Sequence, residues 1–534
     1  MVYSFDVFDT CLCRQCGEPR LLFDVLSLKV QEAIGGSCSE QLRQLFVATR
    51  VDAFGRSLEE IYDNVSQNFP LPYSVERMVE LEMEVERQML RPILATLKLV
   101  DRLREKGAIC FISDMYLPSS FIRERLEAYG FLKEGDRLYV SDELQAWKHD
   151  GSLFRLVHER EGIAYRQWHH YGNCRHSDCR VPRKLGIHAH HLAYGYLPYE
   201  EQWRQMPVLQ YQYPAVLAGV SRAVRLMVDA PEDQKAFVCD ISAPIMVTWV
   251  LRIMRDAQRK GIKRLYFCAR DTHTQFLVAR RLQPLFPDVA INYLFISRDA
   301  IHADNEEVIF GFFLERGLAS SEKTAIVDSN SSGETLRVLN RMMKRHRCNP
   351  IVGYFLFSDT QPNDTGSSFP AIYPRYVSSL GSKKGRSLMG MKIFFELILS
   401  LNHHRKTVGY ECRGQEVRPV FGNDAEDKWC VEKTGTRQSK RNNDYLALAV
   451  CDAFVSTGLC RFGDQLFENV AIPTLTGFFD HPQKIYLPYL RRFIWWERPF
   501  VGSLVGRKRG LWHKGSLLYA LPDFISWMIW KHRK

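Results

Sequence analysis

Apolar runs of four to six residues, each ending in polar side chains and separated by longer stretches with helical spacing, recur along the first 200 residues. The runs Tyr3–Phe8, Ala108–Ile112, Arg137–Val140 and Trp168–Tyr171 read as strands with helices between them. That alternation predicts a parallel, doubly wound α/β sheet. In such a sheet the chemistry collects at the carboxyl ends of the strands. Four polar clusters fall there: Asp6 with Asp9 and Thr10, Ser113 with Asp114, Lys148, and Gly172-Asn173 with Ser177-Asp178. Any one of them alone is a turn or a helix cap. Four in sequence read as a site.

Between the first and second clusters, residues of about 17–95 carry helical periodicity and many charges, which predicts a helical insertion. After a Tyr-, Pro- and Gln-rich loop over Tyr194–Tyr213, a long helical stretch leads to a second strand series. Arg264–Cys268 ends at Ala269-Arg270-Asp271-Thr272-His273, and Tyr293–Ile296 ends at Ser297-Arg298-Asp299. Thr324–Val327 ends at Asp328-Ser-Asn-Ser331-Ser332-Gly333-Glu334-Thr335. The last loop offers hydroxyls, a glycine and free helix N-terminal amides, the donors that hold a phosphate. Arg270 and Arg298 have the fork geometry of phosphate clamps, although Arg-Asp pairs here would equally serve as internal salt bridges. Glu396, in the apolar stretch Ile393–Leu401, reads as an ordinary helical carboxylate.

The chain has 534 residues, too many for one core, which implies about three domains. With 46% hydrophobic and 12% aromatic residues it reads as globular throughout. No stretch of about 18 uncharged apolar residues predicts a membrane-spanning helix, and the acid at position 6 comes too early for a signal peptide. The 14 cysteines, several inside apolar runs, read as reduced core residues of a cytoplasmic protein. Cys11, Cys13 and Cys16 lack the second pair that a zinc site needs. The net charge of +11 is concentrated at the end of the chain. Between Arg491 and Lys534 ten Lys/Arg stand against Glu497 and Asp523, with five of the ten tryptophans. Interleaved rings and cations suit an anionic membrane surface, and a docked helical subdomain with a solvated basic rim fits as well. No nucleic-acid motif is present, so no nucleic acid is expected as a partner.

The four clusters resemble the motif series of the haloacid dehalogenase (HAD) superfamily, over about residues 1–200. Asp6-Val-Phe-Asp-Thr10, Ile112-Ser113-Asp114-Met115, Lys148 and Gly172-Asn-Cys-Arg-His-Ser177-Asp178 carry the resemblance. It implies a HAD-type fold with a helical cap, and a phosphatase in which Asp6 attacks phosphorus to form an aspartyl-phosphate. Ser113 would bind the transferring phosphoryl group with Thr10 and Asp114 beside it, and Lys148 would balance its charge. Mg²⁺ would sit among Asp6, the Phe8 carbonyl, Asn173 and Asp178. Two departures stand out. The family's usual acid two residues after the nucleophile is Phe8 here; Asp9, one residue later, would supply the proton if the loop is displaced and otherwise caps the following turn, and Asn173 replaces a customary Asp. A HAD domain that has lost catalysis and works as a scaffold or regulator is the competing reading.

The Asp328–Thr335 loop is similar to the diphosphoribosyl-binding loop of type I phosphoribosyltransferases, with Asp328 as the second acid and Val327 in place of the first. Arg270, Asp271, Arg298, Asp328, Ser331, Ser332, Gly333 and Thr335 would then bind the sugar phosphate. A Rossmann-like nucleotide- or sugar-phosphate-binding domain is the alternative for this region. The whole order resembles bacterial two-domain proteins associated with cell-surface polysaccharide synthesis. What this implies is a phosphorylated sugar or glycan substrate, phosphoribosyl diphosphate as donor, and a peripheral place on the inner face of the cytoplasmic membrane. The expected division is residues 1–205 for the hydrolase, 206–415 for the second α/β domain and 416–534 for a mainly helical, basic, Trp-rich region.

Overall fold

A computed structural model describes residues 1–35, 39–207, 213–303, 305–331, 333–358, 369–372, 405–423, 436–463, 465–480, 483–486 and 488–489. Two compact units divide the chain. The first holds Met1–Asp229 and Ala453–Phe462, and the second holds the described residues of Ala230–Asp452 and Gly463–Lys534.

The strands of the first unit are β1 (Val2–Phe5), β2 (Leu12–Arg14), β3 (Leu90–Pro92), β4 (Ala108–Ser113), β5 (Arg137–Val140), β6 (Trp168–Gly172) and β7 (His188–His191). Five form a sheet in the order β5-β4-β1-β6-β7, and every pairing is parallel. Helices cover parallel sheets on both faces, which is why the central strands are apolar without alternation. Phe5, Phe111, Ile112 and Trp168 are fully buried. The chain winds from β1 to β5 on one side and then crosses back to β6 on the other, so the topological switch point lies between β1 and β6.

β2 and β3 pair as an antiparallel ribbon that frames the insertion. Between them run the helices Leu21–Ile34, Glu40–Asp52, Leu58–Asn68 and Val75–Met89. Ser39, Ser57 and Ser74 cap the last three, each accepting from an amide three residues on. Inside, the Arg50 guanidinium donates to both Glu82 oxygens at 2.8 and 2.7 Å, and Tyr62 Oη donates to Glu82 at 2.7 Å. The Tyr- and Pro-rich stretch expected as a loop contains the helix Pro198–Arg204. Proline fits its first turn, and Glu200 reaches back to the Leu197 amide at 2.8 Å. The helix Pro214–Met227 also belongs to this unit. A Cβ on Gly219 would stand 1.8 Å from the Gly17 nitrogen, so backbone lies directly on backbone there.

The second unit has β8 (Arg264–Cys268), β9 (Ala290–Leu294), β10 (Thr324–Ser331), β11 (Val352–Ser358) and β12 (Phe369–Ile372), in the all-parallel order β12-β11-β10-β8-β9. The switch point falls between β8 and β10. The expected strand Thr324–Val327 is too short. Pairing continues with Asp328 opposite Phe355 and Ser331 opposite Ser358, so half of the expected phosphate loop is strand, its loop-like composition overruled by the β11 edge. Residues Thr407–Arg413 and Glu416–Phe421 add an antiparallel ribbon, β13 and β14, not expected from the sequence. Tyr410 Oη donates to the Phe295 carbonyl at 2.9 Å.

Among the described residues one helix, Glu232–Arg259, is long and apolar enough to cross a membrane, despite the charge of Asp240 within it. Its most apolar window is 94% buried in the unit, where Asp240 accepts a hydrogen bond from Tyr486. It is a core helix of this unit. Residues 491–534, Glu396 and Ser332 lie outside the described residues.

Candidate active site

Asp6 follows β1 directly, and its amide still pairs with the Tyr171 carbonyl at 2.8 Å. Its carboxylate therefore leaves the sheet at the switch point. Lys148, beyond β5, reaches across to it: Nζ donates to Asp6 Oδ1 at 2.5 Å and to Asp178 Oδ1 at 2.7 Å. Thr10 Oγ1 donates to Asp6 Oδ2 at 2.7 Å. All four side chains are buried. A buried charge needs a partner, and here one ammonium serves two carboxylates.

Burial pushes the Asp6 carboxyl up to about 6 against the pull of Lys148. Burial acts the same way on Asp178, but Lys148 and His170 hold it well below the usual carboxylate range. The two acids are thus pushed apart, with Asp178 held low and Asp6 raised, a pattern typical of catalytic pairs. Lys148 would lose charge through burial, yet Asp6 and Asp178 hold it above the ordinary lysine value.

The order of Asp178 comes from below the sheet edge. Its Oδ2 accepts from the Cys174 amide at 2.8 Å, and its Oδ1 lies 3.3 Å from His170 Nε2. His170 Nδ1 lies 2.7 Å from Ser4 Oγ, which accepts from Trp168 Nε1 at 2.7 Å. A carboxylate only accepts, so the His170 proton sits on Nε2 facing Asp178, and Nδ1 accepts from the Ser4 hydroxyl, which also lies 3.5 Å from the His169 carbonyl. Burial keeps His170 below its ordinary pKa. Ser4 and His170 are direct partners in the β1–β6 register. Gly172 makes room: a Cβ there would stand 2.4 Å from Asp178 Cγ.

The other expected residues divide. Ser113 ends β4, is 1% exposed, and its hydroxyl has no hydrogen-bond partner among the described residues. A buried orphan donor is costly unless something comes to meet it. Both Asp114 oxygens accept from the Lys148 amide, at 2.9 and 3.1 Å, so Asp114 positions the lysine, and burial raises its pKa. Asp9, at φ 56°, turns to Arg222 on the helix Pro214–Met227, 2.7 Å away. Phe8 packs under the Arg14 guanidinium, 4.8 Å from the ring centre, and Arg14 is held by Glu86 at 2.5 Å. The Asn173 carbonyl accepts from His191 Nε2 at 2.9 Å. Cys11 donates to the Asp6 carbonyl at 3.2 Å as a buried thiol, its pKa raised by burial.

In the second unit, Arg270-Asp271 follows β8 and Asp328 lies in its neighbour β10. Ser329 Oγ, donating to the Asp271 carbonyl at 2.8 Å, ties the two together. Gly333, at φ 77°, precedes the helix Glu334–Arg345, in which Thr335 is the second residue. Arg298, itself exposed, opens a short helix beyond the edge strand β9 whose Ala300 and Ile301 are buried. Sequence reasoning missed a buried cation beside this edge: Lys440 Nζ donates to Thr274 Oγ1 at 2.6 Å and to Asp444 Oδ1 at 2.9 Å. It also missed Ser4 and His170, for which the signal was one polar residue facing another in two strands.

No family model and no curated protein matches this chain. Solved structures do align with parts of it. A HAD family enzyme from Bacteroides thetaiotaomicron is 15% identical, covering 38% of this chain and 98% of its own, with a TM-score of 0.27. A HAD phosphatase from Thermococcus onnurineus is 19% identical over 36% of this chain and 86% of its own, TM-score 0.27. The HAD-hydrolase YfnB from Bacillus subtilis, bound to magnesium, is 14% identical over 35% and 83%, TM-score 0.26. The Bacteroides protein has also been crystallised with magnesium and inorganic phosphate.

Proposed function

We propose that the first unit is a phosphoric monoester hydrolase acting through an aspartyl-phosphate on Asp6. The observation that carries this is the buried triad in which Lys148 bridges Asp6 and Asp178 beside the unpartnered Ser113 hydroxyl. In the first step an Asp6 oxygen attacks phosphorus and the bond to the leaving oxygen breaks. The electron pair departs with that oxygen, which takes a proton from water. Ser113 donates to a phosphoryl oxygen, and Lys148 balances the charge in a site shielded from water. In the second step water attacks phosphorus, the bond to Asp6 breaks, and phosphate leaves with the proton released to solvent.

The donor set fits Mg²⁺. Asp6 and Asp178 supply carboxylates, and among the described residues the Phe8 carbonyl accepts no hydrogen bond. Two carboxylates with a carbonyl, waters and a phosphate oxygen make up the usual magnesium shell. The ion would neutralise phosphoryl charge. Asn173 would contribute no charge to it.

With inorganic phosphate release from p-nitrophenyl phosphate as readout, Asp6→Asn should lower the rate by at least about 10³-fold while the far-ultraviolet spectrum stays unchanged. The rate should rise with pH, pass half its maximum near pH 6 and level off about one unit higher, because Asp6 attacks as the anion. Equal release from both proteins, or none from either, sinks the hydrolase and leaves the scaffold reading. The Asp9–Arg222 pair favours that rival, since it ties the acid directly after Phe8 to an arginine.

For the second unit we propose sugar-phosphate binding at the β8–β10 crevice, with phosphoribosyl diphosphate as the ligand. The Ser329 tie between Asp271 and β10 supports this, because ligands enter open sheets where the strand order reverses. Together the two activities would place 5-phosphoribose on a glycan and then remove its phosphate, in bacterial cell-surface polysaccharide synthesis. Calorimetry with phosphoribosyl diphosphate tests the binding step: no heat, or heat unchanged in Asp328→Ala, removes it. The membrane role of residues 491–534 falls if their deletion leaves sedimentation with anionic vesicles unaltered.

A further inference from the structure

A second basic feature of the first unit lies outside the Asp6 centre. The wide-turned helix Arg175–Arg180 and the short helix Val181–Leu185 lead into the edge strand β7, and with it they border an open surface cavity of about 580 Å³. Arg175, Cys179, Arg180, Arg183, Lys184 and His191 line it, and no Asp or Glu does. Asp178, the one acid in this stretch, is fully buried on Lys148.

Six other arginines of this unit, Arg14, Arg43, Arg50, Arg104, Arg222 and Arg225, each have a carboxylate within 4.0 Å. Among the described residues none of Arg175, Arg180, Arg183 and Lys184 has one. Four like charges around a concavity repel one another and focus a positive potential, a cost recovered when an anion enters. Part of the site is already ordered. Arg183 Nη2 donates to the Ala189 carbonyl at 2.9 Å, and His191 donates through Nε2 to the Asn173 carbonyl.

We propose that this cavity binds a phosphate-bearing anion, at a site separate from the Asp6 centre. Three guanidinium forks and an ammonium match the several oxygens of a diphosphate or a phosphodiester better than a single carboxylate. The volume suits a sugar-sized ligand. The phosphate belongs either to a soluble ligand or to a lipid headgroup, and two probes separate them.

The full chain, in chelator without divalent metal, is titrated with inorganic pyrophosphate by calorimetry and sedimented with phosphatidylcholine vesicles containing about one-third phosphatidylglycerol. Each assay is repeated with Arg180→Ala/Lys184→Ala, whose side chains make no hydrogen bond or ion pair within the described protein. A loss of pyrophosphate affinity of about tenfold or more in the double variant, with Asp6→Asn binding as the parent does, establishes a soluble-anion site. Loss of vesicle binding alone assigns the phosphate to a headgroup. No binding of either probe, or binding equal in parent and double variant, overturns the site.

Discussion

The two parallel sheets of this chain place polar groups at the same structural address and treat them differently. At the β1–β6 switch point the charges are buried and cross-linked, with Asp6, Lys148 and Asp178 drawn from three strand ends onto one ammonium. At the β8–β10 switch point Arg270, Asp271 and Asp328 stay half-exposed, and the buried charge, Lys440, is set to the side with Thr274 and Asp444. Pairing decides the difference. Low-dielectric surroundings are tolerated only where each charge meets its opposite, and there they sharpen pKa values to the degree acid-base chemistry needs.

Removing the cation from each place is the strongest way to break the comparison. Lys148→Met leaves Asp6 and Asp178 facing each other in the core, and we expect a loss of about 3–5 kcal/mol in denaturant unfolding near neutral pH. The sign of its pH dependence follows. Two buried carboxylates without a cation have folded pKa values above their unfolded ones, so stability returns as the pH falls through them. Lys440→Met should cost no more than about 2 kcal/mol, because the Thr274 hydroxyl stays within 2.6 Å of Asp444 Oδ1 and burial already disfavours the lysine charge. Equal losses in the two variants would show that the first cluster is no more tightly coupled than the second.

Gly172→Ala probes the same cluster sterically. A Cβ 2.4 Å from Asp178 Cγ forces the carboxylate off Lys148, at an expected cost of about 1–3 kcal/mol and about 10²-fold in phosphate release. The second sheet's counterpart is Gly353, whose Cβ would meet the Phe355 ring at 2.6 Å and Leu336 at 2.7 Å. Its alanine should lower stability without changing ligand binding at β8–β10. A Gly172→Ala protein with full activity would mean that Asp178 needs no fixed place.

Much of the first site was legible, because strand-end residues announce themselves by where an apolar run stops. Asp6 and Ser113 stand at such ends, Lys148 and Asp178 lie in the segments that follow β5 and β6, and the sheet order sets β4 and β6 on either side of β1. The ribbon at Thr407–Phe421, the helix at Pro198–Arg204 and the last four residues of β10 were not legible. The last depends on a partner outside the segment: Asp328 to Ser331 look like loop until β11 pairs with them. Asp9 belongs to the same class. Its role is set by Arg222, more than 200 residues on, which no local pattern around Phe8 reveals.

The smallest effect expected is the most specific to the first sheet. Trp168, Ser4, His170 and Asp178 form a one-way chain of donors from the core to the edge of the first sheet, whereas in the second sheet Ser329 ties β10 to the Asp271 carbonyl. Ser4→Ala removes the acceptor for Trp168 and the donor to Nδ1. The His170 proton is then free to move to Nδ1, which turns a lone pair on Nε2 toward Asp178. Nitrogen-15 spectra should show His170 protonated on Nε2 in the parent and the Nδ1 form gaining in Ser4→Ala. Phosphate release should fall about tenfold with the substrate KM little changed, since the displaced group is Asp178 and not a phosphate ligand. His170→Gln, which can still donate toward Asp178, should keep more activity than His170→Phe, which fills the space and donates nothing. If glutamine and phenylalanine behave alike, His170 serves only as packing, and the order of Asp178 rests on Lys148 and the Cys174 amide.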